Sequence, residues 1–346
     1  MKKILAASAI ALSIIACKKE GKIDDKNTEI SNNGISATNS DAEKQVEEIK
    51  DIPAITDSAG VYKLKYKLEK GETYPLVMVQ KNVDNMSMDN QSQSQTSETI
   101  DNISFTVTDF QNGIYDFDVT LKSKKQVGTD AQGNNLNVDT QGSEPQDEQL
   151  KMIWKINKAL MGNTLKLKMT ENGKILSITG FDPIYNKVVT ALSSIKEKKD
   201  RDGILQGLKE TFNENILKMQ FKTNLSFFPE KGIKIGESFT ETENLDPEGT
   251  IKSSTTFTLA KVDNEFAHFT IKGGIPKKSD KQEQNGITNT ISLVGVQSGD
   301  INIDKNTGWM KNSKVTMQTT QTQTLSDGKQ SQTGKQISVA TTSINP

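Results

Sequence analysis

Phe105-Thr-Val-Thr-Asp-Phe-Gln-Asn-Gly-Ile-Tyr-Asp-Phe-Asp-Val119 is the stretch that decides the fold. Asn112-Gly113 is a strong hairpin dipeptide, because both residues tolerate the positive φ that a two-residue turn requires. Beyond it Tyr115, Phe117 and Val119 share one face, while Asp116 and Asp118 share the other. That alternation describes an antiparallel hairpin with one buried and one wet face. The pattern returns without a gap as Phe257-Thr-Leu-Ala-Lys-Val-Asp-Asn-Glu-Phe-Ala-His-Phe-Thr-Ile271. Two further pairs follow in the same order. Lys70-Gly71-Glu72-Thr73-Tyr74 matches Ile235-Gly236-Glu237-Ser238-Phe239, and Asn172-Gly173 matches Asn306-Thr307-Gly308. Such a series predicts an internal duplication.

Outward from these hairpins, residues 62–68 alternate apolar with charged and predict a strand. Residues 82–98 are a polar Asn/Gln/Ser segment, and residues 126–147 suggest a long loop. Residues 147–161 bring Leu150, Ile153, Trp154 and Leu160 close to one helical face. A strand pair over 164–178 precedes a helical middle opened by Asp182-Pro183, with two helices expected on either side of 196–203. From 227 onward strands return and end in a Thr/Gln hairpin turned at Asp327-Gly328. The expected fold class is α+β, mostly antiparallel β. Two related β-rich halves, 59–180 and 223–346, are joined by a helical connector over 181–222. They form a twisted sheet or half-barrel with helices on its inner face, the alternative being two separate small sandwiches.

At the N-terminus Lys2 and Lys3 precede an apolar run that ends in Ile14-Ile15-Ala16-Cys17. The run is shorter than the roughly 20 residues of a membrane-spanning helix and has the build of an export signal, residues 1–16. Cys17, the only cysteine in the sequence, stands where a lipobox places the acylated residue. Residues 17–58 are rich in Lys, Asp, Glu, Asn and Ser, and predict a flexible lipidated tether with a reach of roughly 35 Å. The formal net charge of −1 argues against a nucleic-acid partner. Lipidation of Cys17 leaves no thiol for a disulfide, so the fold relies on burial alone.

The lipobox, Lys70-Gly71-Glu72-Thr73-Tyr74, Asn172-Gly173-Lys174-Ile175, Phe228-Pro229-Glu230, Ile235-Gly236-Glu237-Ser238 and Asp304-Lys-Asn-Thr-Gly308-Trp309 carry a resemblance. Together they resemble an uncharacterised family of Bacteroidota-type lipoproteins over roughly residue 60 to the C-terminus. The resemblance implies an outer-membrane lipoprotein, periplasm-facing or exposed at the cell surface, and brings no catalytic or binding residues. Lys18-Lys19-Glu20 is similar to the short charged signals that direct some such proteins to the surface.

Chemical motifs are sparse. The single histidine, His268, falls on the face opposite Phe269 and Ile271, as a solvated strand residue would. One histidine and no free cysteine cannot build a Cys/His zinc site, and no Gly-x-Ser-x-Gly elbow accompanies His268. Asp304-Lys-Asn306-Thr-Gly308 is superficially like a calcium loop, yet lacks the glycine at position 6 and the distal glutamate. Neither a cofactor nor a metal is expected. Trp154 and Trp309 are the candidate ligand-lining residues, with core packing and sheet-edge cover as the competing role. Three functions follow in order of preference. First is a non-catalytic lipoprotein, anchored in the membrane, with a binding or assembly role toward an envelope protein. Second is a carrier or sensor of an apolar ligand between sheet and helices. Third is a hydrolase using paired carboxylates.

Overall fold

The computed structural model describes residues 52–346 apart from 89–90, 226–227, 230, 247–248 and 285. The chain forms β1 (Ile55–Ser58), β2 (Val61–Leu64), β3 (Thr73–Met88), β4 (Gln91–Gln111), β5 (Ile114–Thr129) and β6 (Asn135–Asp139). Next come α1 (Glu148–Leu160), β7 (Thr164–Thr170), β8 (Ile175–Thr179), α2 (Phe181–Ala191), α3 (Lys198–Thr211) and α4 (Glu214–Leu225). The remainder is β9 (Ser238–Asn244), β10 (Lys252–Val262), β11 (Phe266–Gly274), β12 (Lys278–Gln284), β13 (Ile287–Asp304), β14 (Met310–Ser326) and β15 (Ser331–Ile344).

A thirteen-stranded open twisted sheet follows the path β8-β7-β5-β4-β3-β15-β14-β13-β11-β10-β9, with β6 added to β5 and β12 to β13. β1 and β2 make a separate small sheet. One sheet therefore carries both halves, and separate sandwiches are excluded. The meander β3-β4-β5-β7-β8 lies on one side of β15 and β9-β10-β11-β13-β14 on the other, each laid down in the same direction along the path.

Local geometry recurs between the two meanders. Gly71 N–H donates to Val107 O at 2.8 Å and Val107 N–H to Glu72 O at 3.0 Å. Gly236 N–H donates to Leu259 O at 2.7 Å and Leu259 N–H to Glu237 O at 3.1 Å. A bulge follows Val107 in one hairpin and Leu259 in the other. The hydroxyls of Thr73 and Thr106 meet at 2.8 Å, and those of Ser238 and Thr258 at 2.7 Å. In each meander a glycine supplies the left-handed turn that leads into the strand, Gly71 at φ 92° and Gly236 at φ 86°.

The core sits on the inner face of the sheet, over the ends of the strands near these turns. One continuous cluster takes Leu76, Phe105, Phe117 and Leu165 from the first meander and Leu259, Phe269, Ile301 and Ile303 from the second. Ile184 and Val188 of α2 and Leu217, Phe221 and Leu225 of α4 close it from above. Each such side chain contributes about 2 kcal/mol by leaving water. α1 is where its pattern placed it. Asp147 caps it by accepting from the N–H groups of Gln149 and Leu150 at 2.9 and 3.0 Å.

Four expectations change. The tether does not extend to residue 58, because Ala54 and Ile55 are buried and donate to Asn306 O and Lys305 O, both at 3.0 Å. Two apolar residues are too few to make a readable period. The export signal, Cys17 and the rest of the tether up to residue 51 lie outside the described residues. The polar segment at 82–98 is largely strand, since β3 runs to Met88 and β4 starts at Gln91, and the loop expected over 126–147 is interrupted by the end of β5 at Thr129 and by the short β6. Ladder hydrogen bonds use only the backbone, so Gln and Ser extend a strand wherever a long neighbour offers partners. The helical middle has three helices instead of two. The first break lies over 192–197, slightly before the expected 196–203, whose later residues open α3. A second falls at Asn213, whose side chain accepts from Ile216 N–H at 3.1 Å and donates to Lys209 O at 2.8 Å. α4 then continues to Leu225, past the expected boundary at 222. Finally, the strand expected over 62–68 ends at Leu64. Tyr66 and Leu68 are buried as the alternation requires, but Lys65, Tyr66 and Lys67 donate to Ala54 O, Glu171 O and Thr307 O. Lys65 adds one more rung to the β1 ladder, and for Tyr66 and Lys67 carbonyls of two separate turns replace a neighbouring strand.

Candidate functional site

Trp309 and Trp154 have structural partners. Trp309 is buried directly after the Asp304–Gly308 turn, where Asp304 Oδ1 accepts from the N–H groups of Asn306 and Thr307. This is a side-chain-capped hairpin turn rather than a calcium loop. The Trp309 ring lies 5.3 Å from Tyr74, 5.4 Å from Phe105 and 6.1 Å from Tyr66, between centroids. Its Nε1–H donates to Pro75 O at 3.1 Å. Trp154 sits on α1, donates Nε1–H to Asp139 O of β6 at 2.9 Å, and carries the Lys158 ammonium over its ring. The two tryptophans are not brought together: one packs in the central aromatic cluster, the other pins α1 to β6. Tyr66 completes the central cluster, its hydroxyl donating to Leu225 O at 2.7 Å while burial pushes its pKa up.

His268 lies on the outer face opposite Phe269, as expected, but is half-buried and held at both nitrogens. Nε2 is 2.9 Å from Asp263 Oδ2 and Nδ1 is 2.6 Å from Asn302 Oδ1, and Asn302 in turn donates to Asn312 Oδ1 at 2.7 Å. The His268 hydrogen bond leads the causes that hold the Asp263 carboxyl well below the usual range, followed by Phe266 N–H and Lys261. No sequence motif announced this cluster, because its members come from three strands and a turn.

α4 crosses the inner face between the two edge strands. Glu214, in its first turn, accepts from Ile178 N–H of β8 at 3.2 Å. Lys222, in its last turn, reaches Glu243 of β9 at 2.9 Å and Glu241 at 3.7 Å. Burial raises the Glu241 pKa, and Lys222 opposes the rise. With Lys222 between them, these two carboxylates act as an ion-paired clasp between helix and strand.

Beyond the core the long strands continue, and among the described residues no helix packs on them there. Two shallow hollows lie at their tips. One, of about 350 Å³, is lined by Met86, Met88, Gln91, Gln93, Gln321 and Gln336, and the other, of about 240 Å³, by Asn85, Ser87, Ser92 and Ile337. Among the described residues there is no group of three or more His, Cys, Asp or Glu placed to hold a metal ion. Among them, too, no helix is long and apolar enough to cross a membrane, which says nothing of strands.

These features define a class: an open antiparallel sheet whose apolar inner face is closed by helices at one end of its strands. Within it, the chain belongs to a family of unknown function, DUF6263, whose match covers residues 112–310. No curated protein matches the sequence. Among solved structures, a lipovitellin studied for its lipid–protein interactions is similar at TM-score 0.37 and 10% identity, over 80% of this chain and 25% of that one. This chain thus spans about a quarter of the lipovitellin chain. An outer membrane channel from Pseudomonas putida F1 is similar at TM-score 0.17 and 8% identity, over 81% of this chain and 97% of that one. OmpF of Salmonella typhi, in complex with daunomycin, also gives TM-score 0.17 and 8% identity, over 80% and 100%. At these scores none carries a functional argument.

Proposed function

We propose that this protein is a non-catalytic, lipid-anchored envelope lipoprotein of the Bacteroidota type, with a binding or assembly role. The observation that carries this reading is the sheet beyond the core, where β3, β4, β13, β14 and β15 continue and, among the described residues, no helix covers either face. A sheet with no layer against it is unusual in a folded domain, which ordinarily pairs layers around a core. It suits a surface held out for another molecule. Cys17, following Ile14-Ile15-Ala16, is the site of lipidation, and the outer membrane is the destination. The carrier reading draws no comparable support, because Phe105, Phe221, Leu225 and Met78 fill the space between the sheet and α4.

The scaffold is an internal duplication. Its support is the shared strand order on either side of β15, the matched hydrogen bonds at Gly71 and Gly236, and the bulges at equivalent places. β15 is the extra strand that joins the two units.

The anchoring is tested by labelling cells with an alkyne-bearing palmitate and separating their membranes. The wild-type chain takes up label and sediments with the outer membrane, while Cys17→Ser is unlabelled and leaves it. Wild-type chain without label, or C17S that still carries it, overturns the lipoprotein reading.

A further inference from the structure

Apolar residues change sides along the central strands. On β3, Leu76 and Met78 face the core, but further along the aliphatic residues are Val79 and Val83, of opposite parity. On β15, Ile344 faces the core, while Val339 and Ile337 have the opposite parity. Because strand side chains alternate with a period of two, this switch puts the second set on the outer face. Register gathers them into one patch. Val83 pairs with Val339, Val79 pairs with Ile100 on β4, and Val296 of β13 lies in the same row across Gln318. Val83 is 38% exposed and Val296 66%. At the same level the inner face of β3, β4 and β15 is largely polar, with Asn82, Asp84, Gln95 and Gln336 beside Met86 and Met88, while β13 and β14 add Ile291, Leu293 and Met317 to it.

We infer that this outer face docks a second copy of the chain, sheet against sheet. Three observations select that occupant. The first is area. Five strands, β13, β14, β15, β3 and β4, at about 4.8 Å spacing, over about ten residues at about 3.3 Å, give a face of roughly 800 Å². A standard interface buries about 800 Å² per partner. The second is charge. Lys81 and Glu98 neutralise one another at 2.7 Å inside the patch, and further lysines of that face, Lys125 on β5 and Lys335 beyond Ile337, stand at its borders. The third is where the tether joins the domain. Residues 17–51 precede the described domain, which starts beside Asn306 at the end of the strands remote from the Asp327–Gly328 turn. A two-fold axis along the strands leaves the two tethers on the same side, so both copies reach one membrane. Such an interface is isologous, with sheets packed about 30° apart. The third observation rests on the lipid anchor proposed above, whereas the first two do not.

The test uses the full-length protein in its own membranes. Val83→Cys and Val339→Cys each add an outer-face thiol, and Ser338→Cys adds one on the inner face as control. A short bis-maleimide is expected to give a covalent species of twice the single-chain mass from the first two and none from the control. In detergent, light scattering is expected to show a dimeric wild type and a monomeric Val83→Lys/Val339→Lys variant with an unchanged circular dichroism spectrum. No dimer from either outer-face cysteine, equal cross-linking from Ser338→Cys, or adducts only with other proteins overturns the inference. Because the cross-link does not require the lysine variant to fold, the outcome stands without it. A chain that takes up palmitate yet stays monomeric refutes the dimer and leaves the anchor intact.

Discussion

Replacing Trp309 separates a packing role from a ligand-lining one. The indole is buried, contacts three aromatic rings and donates to Pro75 O. Trp309→Phe keeps one ring but removes the donor, leaving the Pro75 carbonyl without that partner at a cost of about 1 kcal/mol. The missing ring volume adds about another 1 kcal/mol of lost transfer and cavity energy, for a total near ~2 kcal/mol. Trp309→Ala empties the centre of the cluster and should cost about 4 kcal/mol. Urea unfolding of the whole protein, followed by far-ultraviolet circular dichroism, supplies the free energies. The W309F and W309A values are expected in that order, with the m-value unchanged. A Trp309→Ala chain within about 1 kcal/mol of wild type would refute the reasoning, since only a residue facing open space tolerates that loss.

Two other perturbations follow from the turns and from the outer-face cluster. Gly308 has φ 73°, and a Cβ there would stand 2.3 Å from Lys65 O, so Gly308→Ala meets both backbone strain and a clash. Gly71 and Gly236 have open space instead, so their alanine variants should each cost only the left-handed penalty of about 1–2 kcal/mol, with Gly308→Ala costing clearly more in the same urea titration. Equal costs at all three glycines would remove the clash from the account. Asp263 has its pKa lowered by His268 first, so its contribution is fully present above the ordinary carboxylate range, near about pH 4, and fades as pH falls through it toward the folded value. Asp263→Asn should therefore be less stable than wild type at about pH 7, with the gap narrowing between about pH 5 and about pH 3. Urea midpoints of the two proteins across that range provide the check, and a gap that widens toward acid contradicts the assignment.

Local chemistry made much of the fold legible. Asn112 and Gly113 take φ 53° and 74°, the positive pair that their dipeptide announced, and the alternation after them buries Tyr115, Phe117 and Val119. Asp147 and the apolar spacing behind it marked α1 with almost its observed ends. Trp154 and Trp309 were visible as unusual residues, but their tasks were not, because each role depends on a carbonyl supplied by another element: Asp139 for one, Pro75 for the other. The His268 cluster was hidden for the same reason.

By itself, then, the sequence determined the elements whose cause lies within a few residues: the hairpin turns, the buried faces beside them and the segment that forms α1. Tertiary structure decided everything that depends on pairing between distant strands. Residues 91–100 carry no strand alternation, yet they extend β4 because β3 supplies backbone partners along their whole length and β5 from Thr96 onward. That β15 inserts between β3 and β14, making one sheet of two meanders, is set by backbone hydrogen bonds that leave no mark on residue type. The same pairing aligns Val83 with Val339, residues far apart in the chain, and so assembles an apolar outer face that neither strand shows alone.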